Sequence, residues 1–513
     1  MRTQIVESDT RLSESIVWRL NQSFYKDKGI DAWRDDEVPS HITSNSMVGK
    51  TYAELLFGIL MDFRHENYDQ RIYFLEMGAG HGKLAFYILT HLERLLDKNT
   101  IILPNYTYIL SDIAEKNLSF FSKNEQLKPF INNRLLDVSY FDASNQNAFT
   151  LRHSQVTIDR KSLKYPIIGI GNYFIDSIPT DLYKVDQGEL FEAHTHLSID
   201  GNVSKENLSL NDLEFQFDYN NISKERYKQY EYLLSFYKRN LENGYFFLPT
   251  TGIACMDFLE SCSESGLIMF MMDKGYHKIE QFRNNKEPEM IQHGSTSVWV
   301  NFHALELHTR AKGGTILLPS HSHTHINVAV FGSLKKVNKL EHLSSSYKRS
   351  VDDFGPNEIN SLMKTSYANI ASLTLQEIIA ILRANQFDPH YFEKVLPRLK
   401  QICLNISKID RDLLYEIIPK VYELYFYMGE SKDFTYELGA LMFDMTYYKE
   451  AAFYFQESYK RFGPKPDVYY NMAICFYQLR MDDAFLSVKK AANREFPNFK
   501  PLKQLDNLDL NAK

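Results

Sequence analysis

The alternation of short apolar runs with helical periods predicts an α/β fold, a parallel sheet with helices on both faces, followed by an all-α tail. Three observations carry this. Apolar runs of strand length occur at 72–78, 106–112, 165–174 and 266–276, with a weaker one at 129–137. Between the first two lies Lys83–Leu96, whose apolar residues recur at helical spacing. From about residue 365 onward the pattern is helical throughout.

Taken in order, residues 1–70 read as mostly helical, with Trp18, Leu20 and Phe24 spaced for one face. A polar stretch at 35–44 interrupts them, and 51–64 resumes the helical period. The domain expected at 71–335 holds the strand-like runs. Within it, 225–243 reads as a helix closed by Gly244. The runs at 313–319 and 325–332 are expected to pair antiparallel at the end of the sheet. A polar stretch with Ser344-Ser345-Ser346 and Gly355-Pro356 is expected as a linker over 336–365.

The tail, 366–513, was tested for repeats. Leu438-Gly439, Ala451, Phe455 and Ser458 fall in tetratricopeptide register, with Pro464 one position late. Tyr469, Ala473, Phe476, Ala484, Ala491 and Pro497 supply a second unit, its second helix shifted by about one residue. An ordinary helical bundle is the alternative.

Composition narrows the function. The 513 residues are 44% hydrophobic and 24% charged, a globular balance. Net charge is −7, and the short basic runs Lys335-Lys336 and Lys489-Lys490 make no basic stripe, so no nucleic acid is expected as partner. Cys255, Cys262, Cys403 and Cys475 form no C-x-x-C pair. The first residues lack an apolar leader, and no apolar run reaches membrane-spanning length. A soluble, reducing, cytoplasmic setting without membrane association is expected.

The sharpest motif is Glu76-Met77-Gly78-Ala79-Gly80-His81-Gly82, which follows a strand-like run and opens a helix. Glycines let backbone approach a ligand, and a helix N-terminus offers free N–H groups. The spacing G-x-G-x-G, with an acid two residues before, differs from the dinucleotide pattern G-x-G-x-x-G. It resembles motif I of class I S-adenosylmethionine methyltransferases, which have a Rossmann-like sheet. The resemblance implies S-adenosyl-L-methionine as cofactor, with Gly78, Gly80 and Gly82 against its methionine part and Glu76 orienting its amino group. It also implies that Asp112, ending the next run, accepts the ribose hydroxyls. Asp137 is a weaker candidate for the adenine amino group. The alternatives are a tight strand-to-helix turn and solvated strand-end acids.

Asn172-Tyr173-Phe174-Ile175-Asp176-Ser177-Ile178-Pro179 resembles a signature of the MidA-like methyltransferases, which include the mitochondrial complex I assembly arginine methyltransferase. Ile42-Thr43-Ser44, Met272-Asp273-Lys274-Gly275-Tyr276 and Val300-Asn301-Phe302-His303-Ala304-Leu305 resemble further pieces in the family's order, over about 38–310. The family's Glu is Tyr173 here, and its strand-end Tyr is Lys274. Losing an acid weakens arginine as the acceptor, because a guanidinium is held by paired carboxylate bonds. Asp176 and Asn172 are the candidate catalytic residues, with helix capping the alternative for Asp176.

Other signals are discounted. His321, His323 and His325 share one side if extended, but no cysteines accompany them and no metal is expected. Cys255 and Cys262 read as small buried groups. Val48-Gly49-Lys50-Thr51 resembles the end of a phosphate loop without its upstream glycine. The expected function is therefore methyl transfer to a protein side chain or peptide recruited through the repeat tail. The alternative is an inactive methyltransferase-like scaffold that binds partners through that tail.

Overall fold

The computed structural model describes residues 3–34, 41–66, 68–145, 147–200, 208–293, 295–322, 324, 326–335 and 340–508. The 35–40 part of the polar stretch, Lys336, His323 and His325 lie outside the described residues. Two compact units are present, Met1–Glu358 and Ile359–Lys513. The segments expected as a separate N-terminal part and, up to Glu358, as a linker therefore belong to the first unit.

That unit opens with strand β1 (Thr3–Arg11) and helices α1 (Ile16–Lys28), α2 (Asp31–Arg34) and α3 (Ser46–Asp62). Next come β2 (Ile72–Glu76), α4 (Lys83–Leu96), β3 (Tyr106–Asp112), α5 (Glu115–Lys123), α6 (Lys128–Asn132) and β4 (Leu136–Tyr140). A small hairpin, β5 (Phe149–Thr150) and β6 (Thr157–Ile158), precedes β7 (Ile167–Asn172). Then follow β8 (Asp181–Asp186), β9 (Glu189–Asp200), β10 (Glu214–Asn221), α7 (Lys224–Gln229), α8 (Glu231–Asn240), β11 (Gly244–Leu248), α9 (Thr250–Ser261) and β12 (Gly266–Tyr276). The remainder is β13 (Ile291–His293), β14 (Ser295–Ser297), β15 (Val300–Asn301), α10 (Phe302–Ala311), β16 (Thr315–Leu317), β17 (Ile326–Leu334) and α11 (Glu341–Tyr347).

The main sheet runs β16-β17-β12-β7-β2-β3-β4. β12, β7, β2, β3 and β4 are mutually parallel, and β17 and β16 pair antiparallel at one end, as expected. Every residue of β2 and β3 is buried, which is why these strands are continuous apolar runs rather than alternating ones. Chain order reverses beside β2, and such a switch point opens a crevice at the C-terminal strand ends.

A second sheet was not legible. It runs β1-β9-β8-β11, with β10 on the free side of β9, and is antiparallel throughout. β9 alternates buried and half-buried positions along most of its length and β10 half-buried and exposed ones, so no apolar run marks them. β1 corrects the expectation that the N-terminal segment begins as helix. With Ile5 and Val6 its only aliphatic residues, it is a strand because β9 supplies its partners. The helix expected at 225–243 is broken at Tyr230, and Gly244 begins β11 instead of capping a helix. The weak run at 129–137 divides into helix α6 and strand β4.

The expected linker is ordered on α3. The N–H groups of His342 and Leu343 donate to the Asp62 carboxylate at 2.9 Å each, fixing the first turn of α11 at the end of α3. The two backbones nearly touch, since a Cβ on Gly58 would lie 2.9 Å from Leu343 Cα. Val48-Gly49-Lys50-Thr51 lies inside α3. Its glycine is a packing residue, because a Cβ there would lie 2.3 Å from Tyr87 Cβ on α4.

The second unit is all-α within its described residues: α12 (Pro356–Ala368, entering from the first unit), α13 (Leu375–Ala384), α14 (Pro389–Cys403), α15 (Lys408–Glu423), α16 (Phe434–Asp444), α17 (Tyr448–Phe462), α18 (Pro466–Gln478) and α19 (Asp482–Glu495). Side-chain bonds skip alternate helices. Tyr415 and Tyr422 on α15 donate to Glu450 and Glu457 on α17, each 35 residues on. Asn471 on α18 donates to Tyr436 on α16 across 35, and Gln376 on α13 to Asp410 on α15 across 34. The helices thus form two layers with a repeat of 34 to 35 residues. Leu438, Ala451, Phe455 and Ser458 are fully buried, and a Cβ on Gly439 would meet the Phe455 ring at 2.8 Å. In α19 the buried positions are Phe485 and Ala492, 34 residues after Ala451 and Ser458, whereas Ala484 and Ala491, the residues read from the sequence, are only partly buried.

Gly49→Leu is expected to lower stability by about 1–3 kcal/mol through overpacking of α3 against α4. Lys50→Ala should change it by no more than about 0.5 kcal/mol. Denaturant melts of the two variants check this, and equal, small effects would exclude Gly49 as a contact residue.

Candidate functional site

At the C-terminal ends of β2, β3, β7 and β12 lies a cavity of about 360 Å³. One half of it is the glycine loop. Gly78, Gly80 and Gly82 have φ of 63°, 58° and 74°, a region open to glycine at no steric cost. A Cβ on Gly80 would lie 2.9 Å from the Trp33 ring, and one on Gly78 2.9 Å from Phe174. The loop is tied to the neighbouring strand end by Asp112. Its Oδ2 accepts from Gly80 N–H at 2.9 Å and its Oδ1 from Ala114 N–H at 2.8 Å. Burial raises the Asp112 pKa, and these backbone donors oppose the shift. The Asn117 side chain and the Ile113 N–H oppose it as well.

Glu76 lines the same half. It is buried and accepts from Tyr108 O–H at 2.8 Å. Burial pushes it up to about 8, Tyr108 pulls the other way, and Asp112 adds to the rise. His81, stacked edge-on to Trp33 at 5.7 Å, is held neutral by burial, its pKa lowered to about 3.

Asp137 is a correction. It does not line the cavity. Its carboxylate accepts from the N–H groups of Val138, His153 and Ser154 at 2.7, 2.9 and 2.9 Å, and so fixes the loop before β6. Asp142, Ala143 and Ser144 reach the cavity from beyond β4 instead. The sequence marks them only as loop residues.

The other half holds Asn172, Tyr173, Asp176 and Lys274. Asn172 Nδ2 donates to Thr43 O at 3.1 Å, while its Oδ1 is buried with no partner. Tyr173 sits at φ 50°, a costly angle for an aromatic residue, and its N–H donates to Met272 O at 2.8 Å. The Lys274 ammonium lies 5.7 Å from the centre of the Tyr173 ring. The two departures from the MidA-like pattern therefore face each other.

Asp176 is buried in a single 3-10 turn, Ile175–Ser177, and its N–H donates to Asp273 Oδ2 at 3.3 Å. Burial pushes Asp176 up to about 6, against the pull of Lys274. Burial also drives Asp273 well above the carboxylate range, and Asp176 adds to it. Two buried carboxyl groups side by side are thus costly to ionise together.

The N-terminal segment completes the walls. Asn21 Nδ2 donates to Ser177 O at 3.0 Å and Thr296 O at 3.2 Å, and its Oδ1 accepts from Thr296 N–H at 2.9 Å. Tyr25 stacks on Trp33 with centroids 5.9 Å apart. The helix face read from the sequence, Trp18, Leu20 and Phe24, includes none of them. No group of three metal-ligating side chains exists among the described residues, and no described helix is long and apolar enough to cross a membrane.

A carboxyl group whose folded pKa is raised destabilises the fold above its unfolded pKa, because the unfolded chain releases the proton first. Asp273→Asn is thus expected to raise stability at pH 7 and to change it little at pH 3.5. Thermal melts at the two pH values check this, and a gain of equal size at both would exclude the linkage.

Residues 58–297 match the model of a family described as "putative S-adenosyl-L-methionine-dependent methyltransferase". No curated protein matches the chain. Among solved structures, an uncharacterized ACR protein from Burkholderia thailandensis is similar at 14% identity, with 64% of this chain and 89% of that chain covered and a TM-score of 0.41. A second Burkholderia thailandensis protein, bound to S-adenosyl-homocysteine, is 14% identical, with 60% and 80% covered and a TM-score of 0.39. The CMeT domain of the citrinin polyketide synthase is 8% identical, with 56% and 52% covered and a TM-score of 0.28. The cofactor of the matched family is S-adenosyl-L-methionine, the one read from the glycine loop.

Proposed function

We propose that this chain is an S-adenosyl-L-methionine-dependent methyltransferase with a class I, Rossmann-like sheet. The carrying observation is the glycine loop clamped to Asp112 at the point where strand order reverses. The order β4-β3-β2-β7-β12-β17-β16, with β17 antiparallel, is the arrangement expected of that class. The cradle suits the cofactor. At Gly80 a Cβ would fill the space between the loop and Trp33, Glu76 offers a carboxyl for an ammonium, and Asp112 lines the cavity at the strand end where hydroxyls would lie.

When bound, the cofactor supplies an activated methyl group on a sulfonium. The chain's own part is alignment and the exclusion of water. Glu76, Gly78, Gly80 and Asp112 would hold the cofactor, while Gly82, which does not line the cavity, turns the loop into α4 against Phe121. Trp33 and Tyr25 line the cavity, and Asp176 is the carboxyl group that would face the acceptor. We extend the proposal to a protein or peptide acceptor, recruited by the second unit. Its two-layered array with a repeat of 34 to 35 residues supports a tetratricopeptide character, and such arrays bind peptides on extended surfaces.

Titration calorimetry with S-adenosylhomocysteine is expected to give saturable heat in the wild type and none in a folded Gly80→Val variant. Absence of binding by the folded wild type would sink the enzyme reading. A second outcome depends on Glu76. Protonated at pH 7 in the free protein, it should lose its proton when the ligand's ammonium arrives. Binding heats in buffers of different ionisation enthalpy should therefore reveal proton release, abolished in Glu76→Gln. Heats independent of buffer in the wild type would exclude the Glu76 contact. Transfer to protein acceptors should fall in a chain ended at Glu358, provided circular dichroism shows it folded. Unchanged transfer would remove the second unit from acceptor recruitment.

A further inference from the structure

A second cluster of reactive side chains stands where α8, α9 and α10 meet, and none of its members lines the cavity at the glycine loop. The Tyr232 hydroxyl on α8 lies 2.6 Å from Nδ1 of His308 on α10. Nε2 of the same ring lies 2.9 Å from Oδ1 of Asp257 on α9. A carboxylate only accepts, so Nε2 carries the proton of that bond. An uncharged ring then presents Nδ1 as an acceptor, and the Tyr232 O–H donates to it. The imidazole is thus oriented by an acid on one side and faces a hydroxyl on the other, the arrangement of a nucleophile, its base and the base's orienter.

All three residues line one cavity of about 420 Å³. His308 is buried, whereas Tyr232 is 43% exposed, so the base is shielded and the residue it faces is open to solvent. Ile253, Ala254 and Ala311 give the cavity an apolar side. Its charged groups are paired among themselves, Lys312 with Asp257 and, at 2.7 Å, with Glu260. Among the described lining residues no cation is left over for a phosphate, so an uncharged electrophile suits the wall better. Burial raises the Asp257 carboxyl, but the bonds from His308 and Lys312 overcome it and hold the group below its ordinary value. Burial pushes the Tyr232 phenol up to about 12, so its proton leaves only as a new bond forms on the oxygen.

We propose that Tyr232, His308 and Asp257 form a second reactive centre, in which Tyr232 is the nucleophile toward esters of short carboxylic acids. This centre is independent of the methyltransferase reading. His308 Nδ1 takes the phenolic proton while the Tyr232 oxygen bonds to the carbonyl carbon, whose π pair moves to the carbonyl oxygen. That pair then returns, the bond from carbon to the leaving oxygen breaks, and the leaving oxygen takes the proton from His308. The products are an acyl ester on Tyr232 and an alcohol, with the ring uncharged again and no charge gained or lost. Asp257 does not touch the acyl group. It is a positioning residue, which holds the ring's orientation and offsets the charge the ring carries midway. The apolar side of the cavity receives the acyl chain.

Incubation of the full chain with p-nitrophenyl acetate, followed by peptide mass mapping, tests this. Acetyl is expected on Tyr232, with nitrophenolate released in equal amount, at a rate about 100-fold or more above that of free N-acetyltyrosinamide. Tyr232→Phe should remove that label and leave the circular dichroism melt near that of the wild type. His308→Ala should slow labelling by about 100-fold, and added imidazole should restore part of it, which a merely structural histidine would not allow. Should His308→Ala fail to fold, Asp257→Asn, at a half-exposed site, takes its place, with slower labelling expected and partial recovery in Asp257→Glu. Acetyl on lysines alone, labelling of Tyr232 no faster than that of the free amide, or unchanged labelling in a folded His308→Ala or Asp257→Asn variant overturns the proposal.

Discussion

The carboxylate of Asp112 fastens the glycine loop to the turn after β3, beside the Ala79 N–H bond to Ser111 O and the Ser111 hydroxyl bond to Glu76 O. It accepts one N–H from the glycine loop and one from the turn after β3. The loop must run through positive φ at Gly78, Gly80 and Gly82, a path with few backbone hydrogen bonds of its own. Without the clamp, that path has little to select it from the many available to glycine. With it, Gly82 enters α4 at one place, and the cavity wall above β2 is set. The sheet contributes the frame, since β2 and β3 are buried on both faces and adjacent in parallel register.

The opposite wall depends on a different kind of restraint. Tyr173 turns the chain sharply at the end of β7, and its N–H is paired with β12. The next turn brings Asp176 back against Asp273, so two carboxyl groups share a buried place with one lysine nearby. Both acids are costly to hold there. Such groups persist where the surrounding structure over-determines them, and they cluster at functional sites. Asn21, far away in sequence, contributes to that over-determination by three hydrogen bonds to the Ser177 and Thr296 backbone.

The second sheet explains how the N-terminal segment reaches the cavity. β1 pairs with β9, and α1 follows directly, delivering Asn21 and Tyr25 to the wall. The same insertion carries a buried ion pair, Arg226 with Asp181, next to Glu192. In the second unit the restraint is repetition. Tyr–Glu bonds 35 residues apart place each helix against the one two further along, and small residues such as Gly439 let the intervening helix pack closely.

Local signals were sufficient for the central strands, for α4, and for the glycine-rich turn between β2 and α4. Their residues are buried on all sides, so burial is written directly as apolar runs, and positive φ is written as glycine. The sequence alone thus determined the sheet core, the loop and the helical character of the tail, whose apolar residues recur at helical spacing. It did not determine β1, β9 and β10, whose alternating residues gain strand structure only from their neighbours. Nor could it separate Asp112 from Asp137, two acids in adjacent strands. Which carboxylate faces a cavity and which is consumed by backbone N–H groups depends on where distant loops fold back. Only the tertiary structure decided that, and only it brought Asn172, Asp176, Asp273 and Lys274 to one wall, because charge pairing and an open hydrogen-bond position exist between residues rather than in any one of them.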